Sequence, residues 1–336
     1  MSRYIITSGK VFLDIDAYAG ILAYGRLLEA LGENVVCAST ATPNESVAPI
    51  VREMGFRLDD YPGSAGIAAP GFGRTEVNSS SSLAASGYEK SEEDRFVVMD
   101  VSDPEMFDRI VGIDKVVEVI DHHTGFEEYW KEKIGDHAHI EFIGSICTIV
   151  FERYERHGKL DLLDNKMCKL LMAGILDNTL NLKASVTTER DVRAYNELMR
   201  IGNVANDWGE IYFLSCQAEV EKDLRRAIEN DVKTDKVSGM LPELFGQLLI
   251  LDEGPILKRR EEIAGIMRER GGRWMVNIIG MGDGKSYILA EGEKVQENLE
   301  RLLGGEFRDG ILTLDKFMLR KEIMKRAREF VFSVVQ

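Results

Sequence analysis

Val116-Val117-Glu118-Val119-Ile120 is an apolar run broken by a single charge, and it ends in Asp121-His122-His123. Such a near-continuous run reads as a strand covered on both faces, the pattern of a parallel sheet packed between helices, so the chain around it must supply alternating strands and helices. A carboxylate and two imidazoles would then lie just past the carboxyl end of that strand. In open α/β sheets this edge is where ligands bind, and the three side chains together could hold a divalent ion or a phosphate. The plainer reading is that Asp121 caps a helix begun near Phe126 and the histidines are solvated loop residues.

The order of segments supplies what the run demands. Tyr4–Thr7, Asn34–Ser39, Arg95–Asp100 and His137–Phe142 read as further strands. Helical spacing covers Ala17–Leu31, Glu45–Met54, a short stretch after Pro104 to Val111, Ser145–Arg156, Asn165–Leu176 and Thr188–Ile201, the last opened by Thr188 with Asp191 three places on. Trp208–Glu229 reads as one long helix. This predicts a doubly wound, mainly parallel sheet over residues 1–230, interrupted at 62–93 by a Gly/Ser-rich insertion around Ser79–Ser82 with too little apolar surface to order itself by packing. A polar linker at 231–238 leads to a smaller α/β domain with a mixed sheet at 239–336. Gly282-Asp283-Gly284-Lys285-Ser286 there reads as a hairpin turn, since it lacks the glycine spacing and following helix of a phosphate loop.

Composition bounds the partners. The chain has 336 residues and a net charge of -15, which argues against a surface that coats nucleic acid, while a small anionic substrate can still be met by a local cluster of cations. Leu319-Arg320-Lys321-Glu322-Ile323-Met324-Lys325-Arg326 is the densest basic stretch. Cys37, Cys147, Cys168 and Cys216 are scattered in apolar segments and read as reduced core residues. With no run of about 18 uncharged apolar residues and no signal peptide in view, the expectation is a cytoplasmic protein with no membrane partner. Its oligomeric state stays open between monomer and homodimer.

If the first domain is doubly wound, Asp14, Asp16, Asp100, Asp121, His122 and one of Asp177 and Asn178 converge. Hard oxygen with borderline nitrogen donors suits Mn²⁺, with Co²⁺ or Mg²⁺ as substitutes. Two ions bridged by one carboxylate, for which Asp100 alone at its strand end is the choice, would bind the attacking hydroxide and the phosphoryl oxygens of an in-line displacement. Hydrolysis of a phosphoanhydride or phosphoester follows. Singly, each acid has a duller reading: Asp16 as cap of the helix from Ala17, Asp100 or Asp103 as cap of the turn after Pro104.

Asp14-Ile15-Asp16, Asp100, Asp121-His122-His123 and Gly174-Ile175-Leu176-Asp177-Asn178-Thr179, in that order, resemble the motifs of the DHH phosphoesterase superfamily. The second domain is similar to that of its manganese-dependent (family II) inorganic pyrophosphatases and of prune-type exopolyphosphatases. Gly144–Thr148, Lys183–Thr188, Phe245-Gly246-Gln247 and Leu319-Arg320-Lys321 add to the likeness, which covers nearly the whole chain. It implies a DHH-like fold followed by a DHHA2-like domain, and one or two metal ions held by Asp14, Asp16, Asp100 and His122 with Asp121 behind them. Asp100, His122 and His123 become the catalytic candidates, with His123 near the substrate. Arg320 and Lys321 would reach across the domain cleft to the distal phosphate, and Lys233 would be a further substrate lysine.

Three departures bear on chemistry. Lys10 stands where the pyrophosphatases carry a metal-binding histidine four residues before the first acid. Asn178 occupies the register of an expected aspartate, with Asp177 one place early. Asp100-Val101-Ser102-Asp103 lacks the histidine that follows the second-motif acid. Lys10 could replace the charge of an absent ion beside Asp14 and bind substrate phosphate, leaving a one-metal enzyme. The reading is metal-dependent hydrolysis of a small phosphorylated substrate, by metal-bound hydroxide in the interdomain cleft. The alternatives are an inactive phosphate sensor or partner protein, and a nucleotide or oligonucleotide phosphodiesterase.

Overall fold

The computed structural model describes residues 2–59, 91–235 and 241–334, with side chains to residue 329. The Gly/Ser-rich insertion read at 62–93 lies outside the described residues except for its last three, as do residues 236–238 of the linker. The chain forms two compact units, one of residues 1–43, 55–175 and 193–203, the other of 44–54, 176–192 and 204–336.

In the first unit the strands stand in the order Asn34–Cys37, Arg3–Thr7, Asp94–Met99, Val116–Asp121, Ala138–Ile140, every pair parallel. Strand order reverses between Arg3–Thr7 and Asp94–Met99, and the crevice at such a switch point is where open sheets bind ligands. Helix Ile15–Ala30 packs on one face with helix Ile146–Arg156, and Glu127–Ile134 packs against Val116–Asp121. Trp130, Phe107, Val98 and Val119 share a core cluster. Gly20 and Gly25 are small because they must be: a Cβ on Gly20 would sit 2.6 Å from Ile146 Cδ1, and one on Gly25 2.2 Å from Cys37 Sγ.

Glu118, the charge inside the apolar strand, is buried. It accepts from Arg153 Nη1 at 2.6 Å and from the Tyr24 hydroxyl at 2.8 Å, so that a strand and two helices are tied by one ionic contact.

The second unit holds a mixed sheet ordered Phe307–Arg308, Ile311–Leu314, Lys285–Ala290, Trp274–Gly280, Leu244–Ile250, Lys233–Thr234, in which only the pair Leu244–Ile250 with Trp274–Gly280 is parallel. One face is covered by a cluster including Leu224, Ile228, Ile263 and Met267, the other by one including Val295, Leu299, Ile323 and Ala327. Gly282–Gly284 is the turn between antiparallel strands, as its sequence predicts.

Several boundaries move. The first helix begins at Ile15 because Asp14, not Asp16, caps it. Glu45–Met54 shrinks to a helical turn at Pro49–Arg52, and the stretch after Pro104 is a 3-10 turn capped by Asp103 rather than Asp100. The long helix expected over Trp208–Glu229 is two, Trp208–Lys222 and Leu224–Asp231, because the backbone leaves the helical region at Asp223, whose side chain caps the second.

Candidate metal centre

Neighbouring strand ends build the site. At Asp100 the backbone turns into the left-handed region (φ 61°), which few residues other than glycine adopt but which aspartate tolerates better than most. Its N–H still donates to the Ile120 carbonyl at 2.8 Å, so the ladder continues while the side chain is re-aimed. That side chain is 6% exposed, and its Oδ1 is buried with no hydrogen-bond partner among the described residues.

Opposite it stands His122, whose Nδ1 lies 3.0 Å from the Ile143 carbonyl. A carbonyl only accepts, so Nδ1 carries a proton towards Ile143 and Nε2 is the nitrogen turned to the other side of the ring. Nε2 faces Asp100 Oδ1 at 3.2 Å. A proton or a metal ion can join such a pair, and about 3 Å is the separation of adjacent donors around one ion with bonds of roughly 2.1 Å. A second partner that fixes the ligating nitrogen's tautomer is a recurrent feature of metal-bound histidine.

Asp121 is fully buried and organises the pair of histidines. Its Oδ1 accepts from the backbone N–H of His122 at 2.7 Å and of His123 at 3.1 Å, and lies 2.8 Å from His123 Nδ1. Burial alone would push this carboxyl up, but the hydrogen bond and charge of His123 outweigh it and the group sits below the usual carboxylate range. The plain reading in which Asp121 caps the next helix is therefore excluded; that helix runs Glu127–Ile134 with Phe126 at its cap. His123 is half-exposed, with Nδ1 3.9 Å from Asp100 Oδ1. Asp100, His122 and His123 each offer a ligand atom within 4.8 Å of the others.

Asp16 does not cap the helix from Ala17. It lies in the first turn, 1% exposed, and accepts from Ser145 Oγ at 2.6 Å, Ile146 N at 3.0 Å and Cys147 N at 3.1 Å. It thus closes the start of helix Ile146–Arg156. Burial raises its carboxyl, against the charge of His122. Asp14 Oδ1 accepts from Ala17 N at 3.0 Å while the residue remains partly exposed. Asp100 is raised well above the usual range by burial first, then by the negative charges of Asp14 and Asp16. Three carboxylates crowd a buried neighbourhood, and the donor set accepts a divalent cation on chemical grounds.

Gly174 belongs to this arrangement although sequence reasoning gave it no role. A Cβ there would meet Cys147 Sγ at 2.5 Å and Asp16 Oδ1 at 3.0 Å. Gly174→Ala should lose about 1–2 kcal/mol net, overpacking outweighing the helix propensity gained. Urea unfolding checks this, and removing the obstructing thiol with Cys147→Ala should restore at least about 0.5 kcal/mol beyond additivity. Ser145, Ile143 and Ser102 were missed as well; the Ser102 carbonyl accepts from Trp130 Nε1 at 2.6 Å and so anchors the loop after Asp100.

Lys10 is exposed, and its ammonium donates to the Glu105 carbonyl while its N–H donates to Met106 O at 2.9 Å. Asp177, Asn178, Lys233, Arg320 and Lys321 fall in the second unit. There Asp177 Oδ1 lies 3.0 Å from the Tyr212 hydroxyl, Lys233 is exposed, and Arg320 is 8% exposed with its guanidinium paired to Asp231.

No family model matches the chain. It is similar to the probable manganese-dependent inorganic pyrophosphatase of Lactobacillus helveticus, with 23% identity over 316 residues covering 92% of each chain. That of Bacillus mycoides is 25% identical over 272 residues, 80% of this chain and 79% of the relative. Among solved structures, the putative family II inorganic pyrophosphatase of Methanococcus jannaschii superposes with a TM-score of 0.68 at 18% identity, covering 98% of this chain and 99% of that one. The fold is therefore that of a family II pyrophosphatase.

Proposed function

We propose that this chain, which resembles the manganese-dependent (family II) inorganic pyrophosphatases of the DHH superfamily along most of its length, is a metal-dependent hydrolase of phosphoanhydride bonds in small phosphorylated compounds. The observation that carries the reading is the buried Asp100 oxygen, without a hydrogen-bond partner among the described residues, facing His122 Nε2 at 3.2 Å. Asp100 and His122 would hold the ion, Mn²⁺ by preference, with Asp14 and Asp16 adding negative charge around it. A bound ion supplies positive charge against phosphoryl oxygens and acidifies water.

The chain's own residues do the rest. His122 is held by Ile143 so that only Nε2 can ligate. His123 is held by Asp121 through Nδ1, which leaves Nε2 to exchange a proton with a substrate oxygen at the exposed side of the ring. Lys233 and Lys321 are proposed to receive phosphate oxygens. Pyrophosphate, the compound in the relatives' names, heads the list of substrates.

Among the described residues no helix is long and apolar enough to cross a membrane, and the four cysteines are free thiols. We place the protein in the reducing cytoplasm. Incubating it with Mn²⁺ and a panel of phosphoanhydrides and phosphomonoesters, with His122→Ala as control, should release phosphate from at least one anhydride. No phosphate release from any compound of the panel, with or without Mn²⁺, would move the reading to a phosphate sensor, the role that Lys10 and Asn178 would suit.

A further inference from the structure

Trp130, on helix Glu127–Ile134, is fully buried and touches both ends of the loop that begins at Asp100. At the near end its Nε1 donates to the Ser102 carbonyl at 2.6 Å. At the far end its ring stacks on Phe107, with centroids 5.5 Å apart and planes 16° from parallel. Between these two points Asp103 caps the turn Pro104–Met106. The same loop also grips the segment after the first strand: Phe107 forms a β-bridge with Gly9, the Asp108 N–H donates to the Ser8 carbonyl at 2.9 Å, and the Lys10 N–H donates to the Met106 carbonyl at 2.9 Å.

A buried indole needs an acceptor for its N–H, which by itself would make the Ser102 contact structural. Backbone strain and connectivity give it a second role. Asp100 stands in the left-handed region at φ 61°, and a side chain other than glycine stays there only where its surroundings hold it. Upstream the hold is the Asp100 N–H on the Ile120 carbonyl at 2.8 Å; downstream it is the indole on Ser102, two residues on. Helix Glu127–Ile134 follows closely on Asp121-His122-His123, and Phe126 at its cap accepts from the Trp130 N–H at 3.1 Å. The indole therefore ties the loop after Asp100 to the loop after His123, and Ser102 Oγ adds a longer contact to the His123 carbonyl at 3.4 Å. Asp100 Oδ1 and His122 Nε2, 3.2 Å apart, stand where these two loops begin.

We propose that Trp130 is a positioning residue for the metal centre: by stapling the loop after Asp100 to the helix after His123, it sets the spacing of the Asp100 carboxylate and His122 Nε2 at which one divalent ion is held. The proposal rests on the metal-dependent reading above. Donors already held at the right spacing lose less on binding than donors that must first be ordered, so loosening the staple weakens the hold on the ion without removing a ligand.

Affinity for the metal alone separates this role from plain packing. Mn²⁺ is titrated by calorimetry into the metal-free full chain as wild type, Trp130→Phe, Phe107→Leu and Val116→Ala, and each is checked by thermal melting. Trp130→Phe keeps an aromatic ring beside Phe107 and loses the indole donor. Val116→Ala is the control, a truncation in the same core cluster at the opposite end of strand Val116–Asp121. The staple predicts a Kd for Mn²⁺ raised about 10-fold in Trp130→Phe and less than about 2-fold in Val116→Ala, whatever each loses in melting temperature. A Kd in Trp130→Phe within about 2-fold of wild type, or a rise matched by Val116→Ala, overturns the proposal. Should Trp130→Phe fail to fold, Phe107→Leu, which keeps the indole donor and loses the stack, carries the same comparison with a rise of at least about 3-fold expected. Mn²⁺ binding by a wild type that hydrolyses no phosphoanhydride would fail the hydrolase reading and leave the staple to be decided by these Kd values. A wild type that binds no Mn²⁺ defeats the metal-dependent reading and the staple with it.

Discussion

Asp100→Asn is expected to stabilise the metal-free protein and abolish its hydrolytic activity together. The carboxylate is buried, its Oδ1 has no hydrogen-bond partner, and the charges of Asp14 and Asp16 press on it. Asparagine keeps the shape and is among the residues that best tolerate the left-handed backbone at this position. Removing the charge relieves desolvation and repulsion by about 1–2 kcal/mol, or roughly 2–8 °C in melting temperature. On the proposed function the same change would deprive the ion of an anionic ligand, and turnover should fall at least about 10³-fold, roughly 4 kcal/mol of transition-state stabilisation.

The pH dependence of this gain has a definite sign. A carboxyl raised in the folded state binds its proton more tightly there than in the unfolded chain, so its contribution favours folding below about pH 4 and is lost as pH rises through the folded value. The advantage of Asp100→Asn should therefore vanish at about pH 3 and grow towards neutrality. Mn²⁺ should reverse the order, raising the melting temperature of wild type and not of the variant. Equal melting temperatures without metal at neutral pH, or equal responses to Mn²⁺, would exclude Asp100 as the buried ligand.

The parts of the site that follow from periodicity were legible in the chain. Val116–Ile120 could only be a covered strand, and a parallel sheet sends every strand end to one edge, so Asp100 and Asp121-His122-His123 had to share it. What could not be read was which oxygen does what. Asp14 and Asp16 are two residues apart at a helix start, and either could cap it; the choice depends on helix Ile146–Arg156 arriving with unsatisfied N–H groups that Asp16 answers. Likewise the nitrogen of His122 that faces Asp100 is chosen by the Ile143 carbonyl, 21 residues away, which leaves no mark in local sequence. Arg320 shows the same limit: nothing in the local sequence marks Asp231, 89 residues away, as its buried partner.

Glu118 is the charge that local pattern makes hardest to explain, and it carries the largest expected effect on stability. Arg153→Met should destabilise the chain by about 3–5 kcal/mol, because it strips a buried carboxylate of its main partner. Among the described residues only the Tyr24 hydroxyl at 2.8 Å and the partly exposed His139, 3.5 Å away, would remain beside Glu118. The pair itself need not be net stabilising. Arg153 Nε and Nη2 are buried and have no hydrogen-bond partner among the described residues, so the guanidinium recovers only part of its desolvation. A triple variant, Glu118→Leu with Arg153→Met and Tyr24→Phe, removes the buried polar members at once, leaving only the partly exposed His139, and should recover most of the loss, since apolar replacement of a buried ion pair is often neutral or better. Urea midpoints at constant slope measure both quantities. If the single and triple variants were equally unstable, Glu118 would owe its place to packing shape, and the ionic account of this strand would be wrong.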